Sequence, residues 1–308
     1  MGTGDAVGVD IGGTKILAAI VSESGAITTQ LSAETPSGAT DPGQVEDALV
    51  SVLLPLLAES GPVPVGIAAA GLVDAGQGVV RFAPHLPWRN EPLRTRLAQR
   101  LEIQDQGNLV VENDVNAALC AEIAFGAAKS RSAVLMVTVG TGIGGAILAG
   151  GRLYRGLNGL AGEFGHLPFD TVQSRPCPCG LSGCWEQYVS GPALSHEMRI
   201  LGREMSGPQI LAAARDGDQD ALAVFTVVGM ALGQGLAQLV TSLDPEMILV
   251  GGGVSEAGEL LLEPARRALA NTVVGSAFRE PPELALAALG ASAGVIGAAE
   301  LARRQIES

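Results

Sequence analysis

Aromatic residues are scarce in this chain: two tryptophans, two tyrosines and six phenylalanines make up 3% of its 308 residues. Large rings cannot fill the interior, so Ala, Val, Leu and Gly must do so, and an apolar content of 47% is enough for that and excludes a disordered chain. Basic residues are short as well, with 19 Lys and Arg against 32 Asp and Glu and a net charge of −13. Nucleic acid and anionic membranes both bind basic surfaces, so both are excluded as partners. An anionic substrate must then be held locally, by backbone N–H groups and a few cations. The chain has no G-x-x-x-x-G-K-[ST] run and neither H-R-D nor D-F-G, so a P-loop and a protein-kinase site are absent, and a dinucleotide fold is poorly supported. No signal peptide is recognisable, and a cytoplasmic location is expected.

Long uncharged runs are few. Ser132 to Gly151 carries six glycines and reads as strands. Ala221 to Leu243 has Gln234, Gln238 and Thr241 on one helical face and acids at its flanks, which suits a buried core helix. The length allows one or two domains, and two are expected.

Glycines and acids gather at the ends of apolar runs. Ala6–Asp10, Ile16–Ser22 and Ile27–Ala33 read as an antiparallel meander joined by a G-G-T and an S-G turn. Gly12 and Gly13 let the first turn approach a ligand, and its N–H groups suit phosphate. Asp10, at the strand end, suits magnesium held through water. An ordinary hairpin with solvated Asp10 and Lys15 is the plainer alternative. Asp41–Ser60 reads as a helix capped by Asp41, with Pro42 in its first turn and Pro55 as a kink. Val63–Ala70 is a buried strand ending at Gly71, where backbone can come close to a ligand. Leu72–Arg89 holds two turns with Phe82 and Trp88, and His85 reads as a surface residue. Glu91–Leu101 is a short polar helix.

Leu109–Glu112 reads as a strand and Val115–Phe125 as a helix, which makes Asp114 an N-cap. The same position keeps a carboxylate ionised and aims it out of a strand end, as a general base requires. Cys120 reads as a core thiol. Ala133–Val139, the turn Gly140–Gly145 and Ala146–Ala149 repeat the strand, glycine turn, strand order of the N-terminus, a faint two-fold echo that fits two half-domains facing a cleft. Helices follow over Pro192–Leu201, Gly207–Arg215 and Gln219–Ser242. Met247–Val250 is a strand running into Gly251, Gly252 and Gly253, with a helix expected from Ser255 or Glu256 to Leu269. A glycine turn before a helix N-terminus is an anion site, or else simply a tight turn. Leu284–Ala287 and Ala291–Arg304 read as a last strand and helix. Glycine turns at strand ends beside an isolated acid suit phosphoryl transfer, where positioning and electrostatics do most of the catalysis.

Three of the four cysteines, Cys177, Cys179 and Cys184, fall within eight residues, with Gly180 and Gly183 supplying tight turns. With His166 as the fourth ligand they would close a tetrahedral zinc site, and four protein ligands leave no place for an activated water, so the zinc would be structural. Free or disulfide-bonded thiols are the alternative. Disulfides are rare in the cytosol, and a C-x-C pair is poorly placed to bridge to itself.

His166 followed by C-P-C-G-L-S-G-C-W-E resembles the signature of the ROK family of bacterial sugar kinases and repressors. D-I-G-G-T-K (Asp10–Lys15), E-N-D (Glu112–Asp114), G-T-G (Gly140–Gly142) and G-G-G (Gly251–Gly253) fit the family in order along the chain. W-E-Q-Y-V-S-G-P-A-L is most similar to the actinobacterial glucokinase branch. The resemblance implies an α/β, two-domain, actin-like (ribonuclease-H-like) ATPase fold with a cleft between domains and a structural zinc loop. It implies a small domain of residues 1–113 completed by helix 291–308, and a large domain of residues 114–290. It implies ATP-dependent phosphorylation of D-glucose with Mg2+, and a homo-oligomer, dimer or tetramer, whose partners are sugar and nucleotide. N-acetylmannosamine kinase and polyphosphate glucokinase are the alternatives. A sugar-responsive repressor would carry a winged-helix segment, and strand one here begins by Ala6. By residue, Asp114 is the base. Gly71, Asn113, Asp114, Glu163, His166 and Glu186 take the sugar, and Asp10, Gly12, Gly13, Thr14, Lys15, Gly140, Thr141, Gly142, Gly252 and Gly253 take nucleotide and magnesium. His166 would bind zinc through one ring nitrogen and face sugar with the other.

Overall fold

The computed structural model describes residues 4–36, 38–104, 108–172 and 174–307. The chain forms two units. The first comprises Met1–Ser130, Leu153–Ala161 and Ala288–Ser308, and the second Arg131–Arg152 and Gly162–Ala287.

In the first unit, β1 (Ala6–Ile11), β2 (Lys15–Val21) and β3 (Ile27–Glu34) make the antiparallel meander that the sequence predicts. Helix α1 (Pro42–Ser60) follows, with Asp41 accepting from the Gly43 amide as its cap and Pro55 inside it. Next comes β4 (Val65–Ala69), whose five residues are all buried, as a strand covered on both faces requires. The segment Leu72–Arg89, read as two turns with an apolar pair, supplies most of a small antiparallel sheet of β5 (Leu72–Asp74), β6 (Val79–Phe82) and β7 (Arg89–Glu91). Trp88 is fully buried beneath it, which supplies the apolar face such short strands need. Helix α2 (Leu93–Arg100), β8 (Leu109–Asn113) and α3 (Asp114–Ala124) complete this run.

The main sheet has the order β3-β2-β1-β4-β8, with β1, β4 and β8 parallel. Its register is what matters for function. Ile11 pairs with Ala69, and Ala69 with Asn113, so three carboxyl ends finish in one row. The turns that begin at Gly12, Gly71 and Asp114 therefore leave the same edge of the sheet.

The second unit repeats the plan with β9 (Val134–Val139), β10 (Ile143–Ala149), β11 (Arg152–Leu153), β12 (Met247–Gly251) and β13 (Glu283–Leu286) in the order β11-β10-β9-β12-β13. An antiparallel hairpin again leads into parallel strands, so the echo between the two glycine turns is an echo of two whole sheets. Helices α4 (Gly191–Ile200), α5 (Gly207–Arg215), α6 (Gln219–Leu243) and α7 (Glu259–Thr272) belong to this unit, and α7 contacts β13. Helix α6 is long and apolar enough to cross a membrane, yet it lies against α4, α5 and α7 with twelve of its residues buried, as a core helix does. The helix expected to start at Ser255 or Glu256 is a 3-10 turn over Gly253–Ala257. It stops at Gly258, whose φ of 58° breaks the helical path before α7 begins.

The last helix, α8 (Ala293–Glu307), belongs to the first unit, where it contacts β1, β4 and α3. Glycines allow backbone to meet backbone there. A Cβ on Gly8 would lie 1.9 Å from the Val295 carbonyl, one on Gly66 1.8 Å from that of Ala298, and one on Gly297 1.7 Å from that of Ala117. Helix α3 is held on its buried side by α8, where Ala117 packs with Ala68 and Ala298.

Candidate active site

Asp10 is the penultimate residue of β1, and the turn after it is closed by the Gly12 amide donating to the Lys15 carbonyl at 3.0 Å. Thr35 fastens this turn from β3's end: its hydroxyl donates to Gly12 O at 2.8 Å and its amide to Thr14 O at 3.0 Å. The Gly13 and Thr14 amides bond no other described residue, so two N–H groups remain available for an anion. His85 leans on this turn, its Cβ 3.2 Å from where a Gly13 side chain would begin. It is exposed, as read from the sequence, yet it borders the turn, which no local pattern signals.

At the end of β8 the structure corrects the capping assignment. The N-cap of α3 is Asn113, whose Oδ1 accepts from the Val115 and Asn116 amides, and Asp114 is the first residue inside the helix. Asn113 Nδ2 donates to Gly71 O at 3.1 Å and to Asp114 Oδ1 at 3.0 Å. Asp114 Oδ1 also accepts from the Val115 amide at 3.0 Å. One carboxylate oxygen is thus fixed by two donors, while Oδ2 bonds no other described residue and can take a proton. Burial raises the Asp114 pKa above its usual 3.8, against the hydrogen bonds that favour its anion. Asp10 is pushed up to about 7, by burial first and then by the Asp114 charge. These two acids sense one another, the setting in which a divalent cation is welcome. Both side-chain amide hydrogens of Asn113 are engaged within the site, on Gly71 O and Asp114 Oδ1.

Sequence reading missed the layer behind this turn. Glu112 is 1% exposed. Its Oε1 accepts from the Asn113 amide and from Asn116 Nδ2, both at 3.0 Å, and its Oε2 pairs with Arg155 Nε at 2.6 Å. A lone acid in the apolar run L-V-V-E-N was the available signal. Nothing local pointed to Arg155.

In the second unit, Glu163 opens a 3-10 turn over Phe164–His166, and its carbonyl accepts from the His166 amide at 3.2 Å. His166 Nδ1 lies 3.7 Å from Cys177 Sγ and 3.8 Å from Glu186 Oε1, and Glu186 Oε1 lies 3.1 Å from Cys177 Sγ. Glu186 reaches the Gly140–Gly142 turn as well: a Cβ on Gly142 would be 2.5 Å from its Oε2. The sequence treats Gly140, Thr141 and Gly142 as a site apart from the cysteine loop, and the structure brings them together at Glu186. Trp185, 1% exposed, anchors this loop by donating from Nε1 to Ala231 O at 3.0 Å and by filling the notch left at Gly235 of α6.

The cysteines meet the geometry of a metal site. Ligand atoms of His166, Cys177, Cys179 and Cys184 all lie within 4.8 Å of one another, and Cys179 Sγ is 3.7 Å from Cys184 Sγ. Tetrahedral zinc with Zn–S bonds of about 2.3 Å sets its sulfurs about 3.8 Å apart, so this donor set fits a closed zinc site. The same separation excludes a disulfide, and all four cysteines of the chain are free. Cys120 is buried inside α3, and burial pushes its thiol up to about 12, so it is an inert core group.

The Gly251–Gly253 turn sits beside the Gly140–Gly142 turn. Gly251 pairs with Thr138, so β9 and β12 end level, and Gly252 (φ 84°) lies over Val139 so closely that a Cβ would be 2.5 Å from its carbonyl oxygen. Gly252 O accepts from the Ser255 hydroxyl at 2.6 Å. Gly140–Gly142 and Gly252–Gly253 thus form one glycine-lined edge.

The chain resembles known proteins along almost its whole length. A glucokinase of Streptomyces coelicolor is 39% identical over 96% of this chain and 97% of its own. A ROK family glucokinase from Streptomyces griseus, solved in complex with glucose and AMPPNP, superposes with a TM-score of 0.86 at 39% identity, over 98% of this chain and all of that one. A ROK hexokinase from Thermus thermophilus gives 0.81 at 33% identity, over 98% and 99% of the two chains. The ROK family pattern matches residues 6–305, and the protein is a member of the ROK family.

Proposed function

We propose that the protein is a sugar kinase that transfers the γ-phosphoryl group of ATP to the 6-hydroxyl of D-glucose. The observation that carries this reading is the Asp114 carboxylate: one oxygen is tied to Asn113 and Val115 and the other is left open at the sheet edge that also bears the Gly12–Thr14 turn. A nucleophile's proton needs such an acceptor, and a general base contributes roughly 10² to 10⁴ in rate. Likeness to the Streptomyces glucokinases over nearly the full length supports both sugar and donor.

By residue, Asp114 Oδ2 receives the 6-hydroxyl proton. Asn113 and the Gly71 carbonyl keep that carboxylate in place. Asp10 holds magnesium through water, which neutralises charge on the phosphates when bound. The amides of Gly13 and Thr14, with Gly12 and Lys15, take phosphate, and so do the turns Gly140–Gly142 and Gly252–Gly253. Glu163, His166 and Glu186 accept sugar hydroxyls, and a carboxylate left without its hydroxyl would penalise an analogue that lacks it. His166, Cys177, Cys179 and Cys184 hold a structural zinc that orients the imidazole. The reading places the enzyme in the cytoplasm.

A coupled assay of 6-phosphate formation tests this, run with glucose, 2-deoxyglucose, mannose, fructose and N-acetylmannosamine and with ATP or polyphosphate as donor. Glucose with ATP should give the highest kcat/KM, and 2-deoxyglucose should lose one to two decades, about 1 to 3 kcal/mol for an unpaired buried acceptor. Higher kcat/KM for N-acetylmannosamine would overturn the substrate and leave the kinase.

A further inference from the structure

We propose that Arg155 is a positioning residue for phosphoryl transfer, acting through buried Glu112 to fix the strand-to-helix turn that carries Asn113 and Asp114. The inference rests on the assignment of Asp114 as the base.

Glu112 is the last fully buried residue of β8 and the only acid in that strand. A carboxylate at 1% exposure keeps its charge only if its partners replace water. Those partners divide the work. Two of them, the Asn113 amide and Asn116 Nδ2, belong to the turn itself and both use Oε1. The third is Arg155, on Oε2 at 2.6 Å, the one cation paired with Glu112 among the described residues.

The contacts then run in series. Arg155 holds Glu112, Glu112 holds the Asn113 backbone, and the Asn113 side chain holds Asp114 Oδ1, Gly71 O and the first amides of α3. No link in this series touches a reacting atom until Asp114.

Arg155 is itself fixed. It lies in the short stretch Leu153–Ala161 that returns to the first unit, where the Ala161 amide donates to the Arg155 carbonyl at 3.1 Å. Gly159, at φ 73°, lets this stretch come so near β5 that a Cβ would sit 2.2 Å from Val73 O. The Arg155 side chain is 36% exposed and makes no other ion pair among the described residues, so it fills little of the core. Its bond to Glu112 is its principal contribution.

Loss of Arg155 leaves Glu112 with two choices, to remain an uncompensated charge beside the Asp114 turn or to swing its Oε2 toward another donor. Either one shifts the acid that orders Asn113. A displacement on the order of 1 Å at a reacting group can cost about 100-fold in rate.

The test is steady-state kinetics on Arg155→Met, Glu112→Gln, their double variant and Asp114→Asn, with glucose affinity and Tm measured on each. Arg155→Met should lower kcat by about 10- to 100-fold while KM for glucose stays within about threefold, a loss confined to the chemical step. Glu112→Gln needs no cation, so in that background Arg155→Met should change kcat by no more than about twofold. Wild-type kcat in Arg155→Met, a loss seen only in KM, or a full additive loss in the double variant would each overturn the proposal. Should Arg155→Met not fold, Arg155→Lys carries the test: the charge stays but the Nε bond does not, so kcat should fall at constant KM, and wild-type kcat refutes the role. If Asp114→Asn remains active, the base assignment fails instead, which separates the two.

Discussion

Replacing Asp114 by asparagine removes one proton acceptor and little else. The helix cap is Asn113, so the cap survives. The new amide oxygen can keep both bonds that Asp114 Oδ1 accepts, from Asn113 Nδ2 and the Val115 amide. Its NH2 group then stands where Oδ2 stood, and it cannot accept a hydroxyl proton. The expected loss is about 10² to 10⁴ in kcat, or roughly 3 to 5.5 kcal/mol of transition-state stabilisation. Stability should move the other way. Burial disfavours the Asp114 charge, and that charge in turn raises Asp10, so neutralising it relieves both groups. Each kcal/mol regained would raise Tm by about 1.5 °C in a chain of 308 residues. The assay is turnover at saturating ATP and glucose, with thermal unfolding and glucose binding by calorimetry on the same sample. An unchanged or higher Tm, retained glucose binding and a kcat at least 100-fold lower are expected. A variant that folds, binds glucose and keeps kcat within tenfold of wild type would refute Asp114 as the base.

Elemental analysis of the native protein should find one zinc per chain, and Cys184→Ser should lose it together with glucose affinity, since the same loop carries His166 and Glu186. The acid limb of kcat/KM should lie above pH 3.8, the ordinary aspartate value, because Asp114 must be ionised to accept a proton and burial raises its pKa; activity is then lost as pH falls through that pKa. Gly142→Ala puts a methyl 2.5 Å from Glu186 Oε2 and must displace that carboxylate, so KM for glucose should rise by about tenfold or more with Tm nearly unchanged, and an unaltered KM would detach Glu186 from the sugar. Gly235→Ala drives a methyl within 2.3 Å of the buried Trp185 ring and should lower stability by about 1 to 3 kcal/mol, read as a fall in Tm.

Elements carried by local signals were legible. The meander, the α1 cap at Asp41 and the long α6 helix follow from turn residues, capping chemistry and periodicity, and they fall within a residue or two of expectation. Neighbouring Asn113 and Asp114 are equally good caps, so propensity cannot choose between them, and the backbone placed the helix start one residue earlier. The sheet of β5, β6 and β7 was missed because strands of three and four residues carry too little alternation to read; its support, buried Trp88, is a tertiary fact. Cys177, Cys179 and Cys184, whose sulfurs gather with a ring nitrogen of His166, announced themselves by spacing. Glu112 and Arg155 did not, because they are 43 residues apart and meet only through folding. Likewise the closeness of Gly142 to Glu186 depends on β10 returning beside the cysteine loop, which no single segment encodes.

Helix α8 has a consequence for how the protein is made. Its backbone fills the grooves at Gly8 and Gly66, so the sheet of β1, β4 and β8 is covered on that side by residues translated long after it. Roughly 160 residues lie between Ser130 and the start of α8, and at about 5 to 20 residues per second the nascent sheet waits roughly 8 to 30 s for its cover. The second unit, interrupted only by Leu153–Ala161, is synthesised in full during that wait. Of the two units, the one that carries Asp114 is begun first and finished second, and over that interval its small-residue groove lacks the helix that covers it.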